Sequence, residues 1–133
     1  METLALIERT SDGKYHVYTN ELVSTIIGEG FTVAEAKADF KKSVAELKHF
    51  YAEAGEDLPE EIDSAKFVFK YDVASLFEYY SFLNISKFAK LAGINTSLMH
   101  QYKAGQYISE KQLKKIEVAL HHAGKELSAI KLV

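Results

Sequence analysis

Between Phe31 and Gly55 the apolar residues Val33, Ala36, Phe40, Val44, Leu47 and Tyr51 recur three or four positions apart, the period of one face of an α-helix. This is the strongest periodic signal in the chain. Thr32 is placed to cap the helix, Glu35 completes a T-x-x-E capping box, and Phe31 stands where it would staple onto Ala36. Gly55 ends it. A helix this long with one apolar stripe must lie on another layer, and the flanking segments offer a sheet.

Thr3 to Arg9 and Lys14 to Thr19 read as a β-hairpin around Ser11-Asp12-Gly13, because Asp-Gly accepts the positive φ angles of a tight turn. Leu4, Leu6, Tyr15 and Val17 are expected on its buried face. Ser24 to Gly28 is expected as a third strand, weakened at its end by Gly28 and Gly30. After the helix, Glu53, Glu56, Asp57, Glu60, Glu61 and Asp63 crowd a segment with the single proline, Pro59, which reads as an exposed acidic loop. Ala65 to Tyr71 alternates Phe67, Phe69 and Tyr71 with Val68 and Lys70, a fourth strand with one aromatic face.

From Asp72 onward the signals are helical only. Asp72 caps a helix expected from Val73 to about Leu83, with Leu76, Phe77, Tyr80 and Leu83 inward. Asn84 caps a second, with Phe88, Leu91 and Ala92 at helical spacing and Gly93 ending it. Asn95 caps a third, Thr96 to Lys103, with Met99 and Tyr102 inward. Gly105 closes it. Ser109 and Gln112 form an S-x-x-Q capping box for a fourth helix carrying Leu113, Ile116 and Leu120 inward. Beyond Gly124, the tail of Leu127, Ile130 and Leu132 reads as an extra strand or a dimer contact. The fold class is therefore α+β: an N-terminal β-β-β-α-β domain over residues 1–71, then an all-α domain over residues 72–133.

Helix, glycine-containing turn, and helix with a polar outer side resemble the helix-turn-helix of the Cro/C1-repressor class. Ala89 fits, since a small residue lets the two helices cross closely. The charge distribution points the same way. Residues 1–83 hold 8 Lys+Arg against 16 Asp+Glu, whereas residues 84–133 hold 8 Lys against 3 Glu. The basic C-terminal half suits a phosphate backbone and the acidic N-terminal half suits a basic protein.

The chain as a whole resembles a HicB-type antitoxin of the toxin–antitoxin systems. The resemblance is carried by T-L-A-L-I-E-R and Y-H-V-Y in the hairpin, G-E-G-F-T-V-A-E-A at the long helix, F-V-F-K-Y-D in the fourth strand, and the repressor-like unit ending G-K-E-L-S-A-I-K-L. It implies a partial ribonuclease-H-like N-terminal domain, without catalysis, that binds a basic RNA-cleaving HicA-like toxin protein. It also implies a helix-turn-helix that binds operator DNA as a homodimer or higher homo-oligomer and represses its own operon. Where many such proteins carry a Pro-Asp-Leu-Pro-Gly-like segment, this one has Thr19-Asn20-Glu21-Leu22-Val23. The alternative reading is a stand-alone transcriptional regulator whose N-terminal domain dimerises or senses a ligand.

In either reading the Thr96 to Lys103 helix is expected in the major groove. Gln101 would pair with adenine, Thr96, Ser97 and His100 would bond base edges or phosphates, and Leu98 would touch a thymine methyl or join the core. Asn84, Lys87, Lys103, Gln106, Tyr107 and Lys111 would position the domain on the backbone. An enzyme is not expected. Metal-dependent phosphodiester cleavage needs converging carboxylates, whereas Glu8, Glu29 and Asp72 each stand near a strand end without a recurring acidic partner. His16, His49, His100, His121 and His122 lack metal-ligand spacing, and no cofactor motif is present. With 133 residues, no cysteine and no apolar run near the roughly 18 residues of a membrane span, the chain is expected to be cytoplasmic.

Overall fold

The computed structural model describes residues 2–20, 22, 25–63 and 66–133. They form a mixed α+β structure, a four-stranded sheet and six helices, in two compact units, 1–76 and 77–133. The first holds β1 (Glu2–Arg9), β2 (Tyr15–Tyr18), β3 (Ile27–Gly30), α1 (Val33–Ala54), α2 (Glu60–Asp63) and β4 (Lys66–Tyr71). Of the expected strand starts, Ser24 and Ala65 lie outside the described residues, as do Glu21 and Val23 of the Thr19 to Val23 segment.

The sheet order is β3-β2-β1-β4, with β1 antiparallel to β2 and parallel to β4. At the hairpin, Gly13 adopts φ 83°, Asp12 accepts from the Lys14 N–H at 3.0 Å and from the Thr10 hydroxyl, and Thr10 N–H reaches Lys14 O at 2.9 Å. This turn sets the register Ile7↔Val17 and Arg9↔Tyr15. Paired residues share a face, so Thr3, Ala5 and Ile7 join Tyr15 and Val17 in the core. The expectation for Leu4 and Leu6 is corrected: both are only half-buried. Leu4, Ala5, Leu6 and Ile7 are all apolar, and an unbroken apolar run does not announce its face.

α1 lies over the Ala5–Ile7–Val17 side, contributing Val33, Ala36, Phe40 and Val44. The parallel register Thr3↔Phe67, Ala5↔Phe69 and Ile7↔Tyr71 brings the aromatic side of β4 beneath the same helix. The Phe40 ring meets Phe67 and Phe69 edge-on at 5.1 and 5.8 Å, pairs worth about 0.5–1.5 kcal/mol each beyond simple burial. Thr32 Oγ1 accepts from Glu35 N–H at 3.1 Å, and Gly55 closes the helix at φ 68°. Glu35 completes its half of the capping arrangement one residue early, accepting from Phe31 N–H at 2.9 Å. The expected staple does not form: Phe31 is 70 % exposed and lies under Lys14 Nζ at 5.6 Å.

β3 corrects a second expectation. It starts only at Ile27, after Thr25 and Ile26, and runs on through Gly28 to Gly30, the glycines expected to weaken its end. A Cβ on Gly28 would stand 2.2 Å from Phe40 N and 2.6 Å from Ala36 O, and one on Gly30 2.5 Å from Glu35 Cβ. These glycines admit the backbone of α1 directly onto the strand. Thr19 N–H and Oγ1 fix the approach to β3 by bonding Ile26 O and Ile26 N–H, both at 3.0 Å.

The acidic segment is also more ordered than expected. Pro59 O accepts from Ile62 and Asp63 N–H at 2.9 Å, starting the short α2, and Ile62 is buried in the α1 core. On the opposite side of the sheet Tyr18 donates to Glu8 at 3.4 Å. Burial, then the Glu8 charge, holds its phenol above the usual range.

α3 (Val73–Tyr79) begins in the first unit and ends in the second. Asp72 caps it through Ser75 N–H at 3.2 Å, and Arg9 N–H donates to Ser75 Oγ at 2.6 Å. The first turn of α3 is thus tied to β1 within the first unit. α3 also stops short of Leu83: a turn with Leu83 N–H on Tyr80 O at 3.1 Å intervenes before the next cap, and Tyr80 and Leu83 are half-buried.

Candidate nucleic-acid interface

The second unit continues with α4 (Ile85–Ala92), α5 (Thr96–Lys103) and α6 (Glu110–Ser128). Asn84 caps α4 by accepting from Lys87 N–H at 3.0 Å. Ile85, Phe88 and Ala89 are buried, Phe88 against the Phe77 ring at 5.6 Å. Gly93 ends α4 at φ 70°. A Cβ there would meet nothing within 4 Å, so the left-handed backbone and not crowding is what favours glycine. Ile94 N–H returns to Ala89 O at 2.9 Å, its side chain enters the core, and the chain reverses into α5.

Asn95 Oδ1 accepts from Ser97 and Leu98 N–H at 2.9 and 3.3 Å, fixing the first turn of α5. Met99 and Tyr102 point inward and are buried. The other side chains of the helix lie toward its outer side: Ser97, His100, Gln101 and Lys103 are exposed, while Thr96 and Leu98 are half-buried. Ala104 is the α5 cap and Gly105 follows at φ 100°. Asn84, Lys87, Gln106, Tyr107 and Lys111 are all exposed, Tyr107 by 88 %. An eight-residue helix held at its N-terminus by a cap and along one side by two buried residues thus presents donors and acceptors on the other.

Ser109 caps α6 through Gln112 N–H at 3.3 Å. The Gln112 side chain, expected to complete a capping box, donates instead to Tyr102 Oη at 3.4 Å, which ties α6 to the buried side of α5. Ile116 and Ala119 are buried and Leu120 half-buried, but Leu113 faces solvent, as does Leu91 on α4. α6 continues through Gly124 to Ser128, and residues 129–133 form no strand. Residue spacing overlooked a groove between α4 and α6, lined by Leu91 and Val118 beside Lys114 and Lys115; the adjacent lysines were its one available signal.

In the first unit the acidic residues serve separate neighbours. Glu8 bonds Tyr18, Asp72 caps α3, and Glu29 lies 3.4 Å from His16 and 3.6 Å from Lys14. Among the described residues no group of three His, Asp or Glu side chains is placed to hold a metal ion, and no helix is long and apolar enough to cross a membrane. Comparison with protein-family profiles, curated proteins and solved structures gave no match to the chain.

Proposed function

We propose that this protein is a DNA-binding antitoxin: α5 reads operator DNA, and the N-terminal unit binds and blocks a small basic RNA-cleaving toxin of the HicA kind. The observation that carries the DNA reading is α5 itself, with Met99 and Tyr102 buried on one side and Ser97, His100 and Gln101 exposed on the other, in the basic half of the chain. The amide of Gln101 offers the donor and acceptor that the major-groove edge of adenine requires. Thr96, Ser97 and His100 flank it for base edges or phosphates, and Asn84, Lys87, Lys103, Gln106, Tyr107 and Lys111 give the sequence-independent part of the affinity. The antitoxin reading is supported by the resemblance of the hairpin, long helix and fourth strand to HicB-type proteins, and by an acidic surface suited to a basic partner.

The test is a band shift on the DNA upstream of the coding region, with whatever small protein co-purifies when the neighbouring genes are expressed together. Gln101→Ala should lose about 1–3 kcal/mol of discrimination, with specific binding falling more than non-specific binding. Equal loss on both DNAs would overturn the placement of α5. A specific shift without any co-purifying protein would leave an autonomous repressor.

A further inference from the structure

The groove between α4 and α6 measures about 520 Å³. Leu91, Ala92, Val118 and Ala119 form its apolar lining, and Lys111, Lys114, Lys115 and His122 stand around it. Leu91 and Val118 are 48 % and 54 % exposed, so their own unit leaves two aliphatic side chains uncovered beneath a lysine-rich rim, in which Lys114 lies 3.8 Å from Glu117 and His122 3.2 Å from Glu126, both exposed pairs. A phosphate chain would use the rim and waste the floor. The complementary object is an amphipathic helix with an apolar anchor between carboxylates.

The chain carries such a helix. On α1, Phe50 is 63 % exposed and, unlike Val33, Ala36, Phe40, Val44 and Leu47, takes no part in the core cluster. Glu46 and Glu53 lie four residues before and three after it, the spacing that places side chains on one side of a helix. Residues 46–63 hold seven carboxylates and one lysine. Glu53 is engaged by His49 at 3.1 Å, but both side chains are about 70 % exposed, and such a surface pair is exchanged at little cost.

We propose that the α4–α6 groove of one copy receives the Phe50 side of α1 from a second copy, with Glu46 and Glu53 meeting Lys114 and Lys115. Phe50 is the anchor and the carboxylate–lysine pairs form the rim. Thr96, Ser97, His100 and Gln101 take no part in the groove, so the pairing leaves the base-reading side of α5 uncovered, and only Lys111 is common to the groove and the proposed backbone contacts.

Charge reversal tests it without removing the anchor. Sedimentation should show a dimer for the wild-type chain and monomers for Glu46→Lys/Glu53→Lys and for Lys114→Glu/Lys115→Glu, each keeping its circular dichroism spectrum. Mixing the two variants should restore a dimer, because the lysine-bearing α1 of one then meets the glutamate-bearing groove of the other while the two unaltered faces still match. Since the chain has no cysteine, separately purified Glu53→Cys and Lys115→Cys variants should cross-link with each other on oxidation far more than either does alone. A monomeric wild type, failure of the mixed variants to reassociate, or cross-linking no greater than in the single-variant controls would each overturn the proposal. Capture of another protein's acidic helix by a monomeric wild type would overturn it as well.

Discussion

Replacing Gly28 by alanine should be one of the most damaging single-methyl changes this chain can suffer. The added Cβ would lie 2.2 Å from Phe40 N, 2.6 Å from Ala36 O and 2.6 Å from Phe40 Cα. All three are backbone atoms, so no side chain can rotate away. To restore even a tight contact near 3.4 Å, α1 must retreat from β3 by about 1 Å, and the retreat loosens the fully buried Ala36 and Phe40. Overpacking typically costs about 1–3 kcal/mol; with helix backbone as the obstacle, the upper end, about 3 kcal/mol, is expected. For a unit of this size that lowers the midpoint of thermal unfolding by roughly 12–24 °C. Gly124 is the internal control. It lies inside α6, where an added methyl would meet nothing within 4 Å, so Gly124→Ala should stabilise the second unit by about 0.5–1 kcal/mol. Thermal unfolding by circular dichroism, with amide hydrogen exchange to separate the two units, reads both changes. Gly28→Ala with an unchanged midpoint and undiminished protection of β3 and α1 would refute the close-approach argument.

Asn95→Ala removes the oxygen that accepts from Ser97 and Leu98 N–H and should cost about 1 kcal/mol; faster amide exchange in the first turn of α5 and weaker specific DNA binding are the expected readouts. Asp12 gives the hairpin a pH dependence. The Thr10 hydroxyl first, and then the Lys14 N–H, hold its carboxyl below the ordinary 3.8. A lowered folded value means that its stabilisation is present above about pH 3.8 and is lost as the pH falls through that lower value. Urea midpoints for wild type and Asp12→Asn should therefore converge on acidification, and a gap that persists at the lowest pH would contradict this origin.

Much of this architecture was legible because its signals are local. The Asp12-Gly13 turn, the Thr32, Asn84, Asn95 and Ser109 caps, and the glycines at 55 and 93 each act within a few residues, and each stands where expected. The inward pair Met99 and Tyr102 followed from spacing alone, and with it the outward set on α5. Hydrophobicity failed as a guide where a helix end or groove leaves an apolar side chain uncovered, as at Leu91, Leu113 and Phe31.

The α+β class, the long helix and the succession of capped helices could be read from the residues alone, because helix caps and periodicity are properties of neighbours in the chain. It took the folded arrangement to show which face of β1 is buried, why Gly28 and Gly30 stand in β3, where Ile62 inserts, and that Gln112 reaches Tyr102. Those depend on register and on distances between residues far apart in the chain. A one-residue change of pairing reverses every face of a strand, while leaving the local pattern of its sequence untouched.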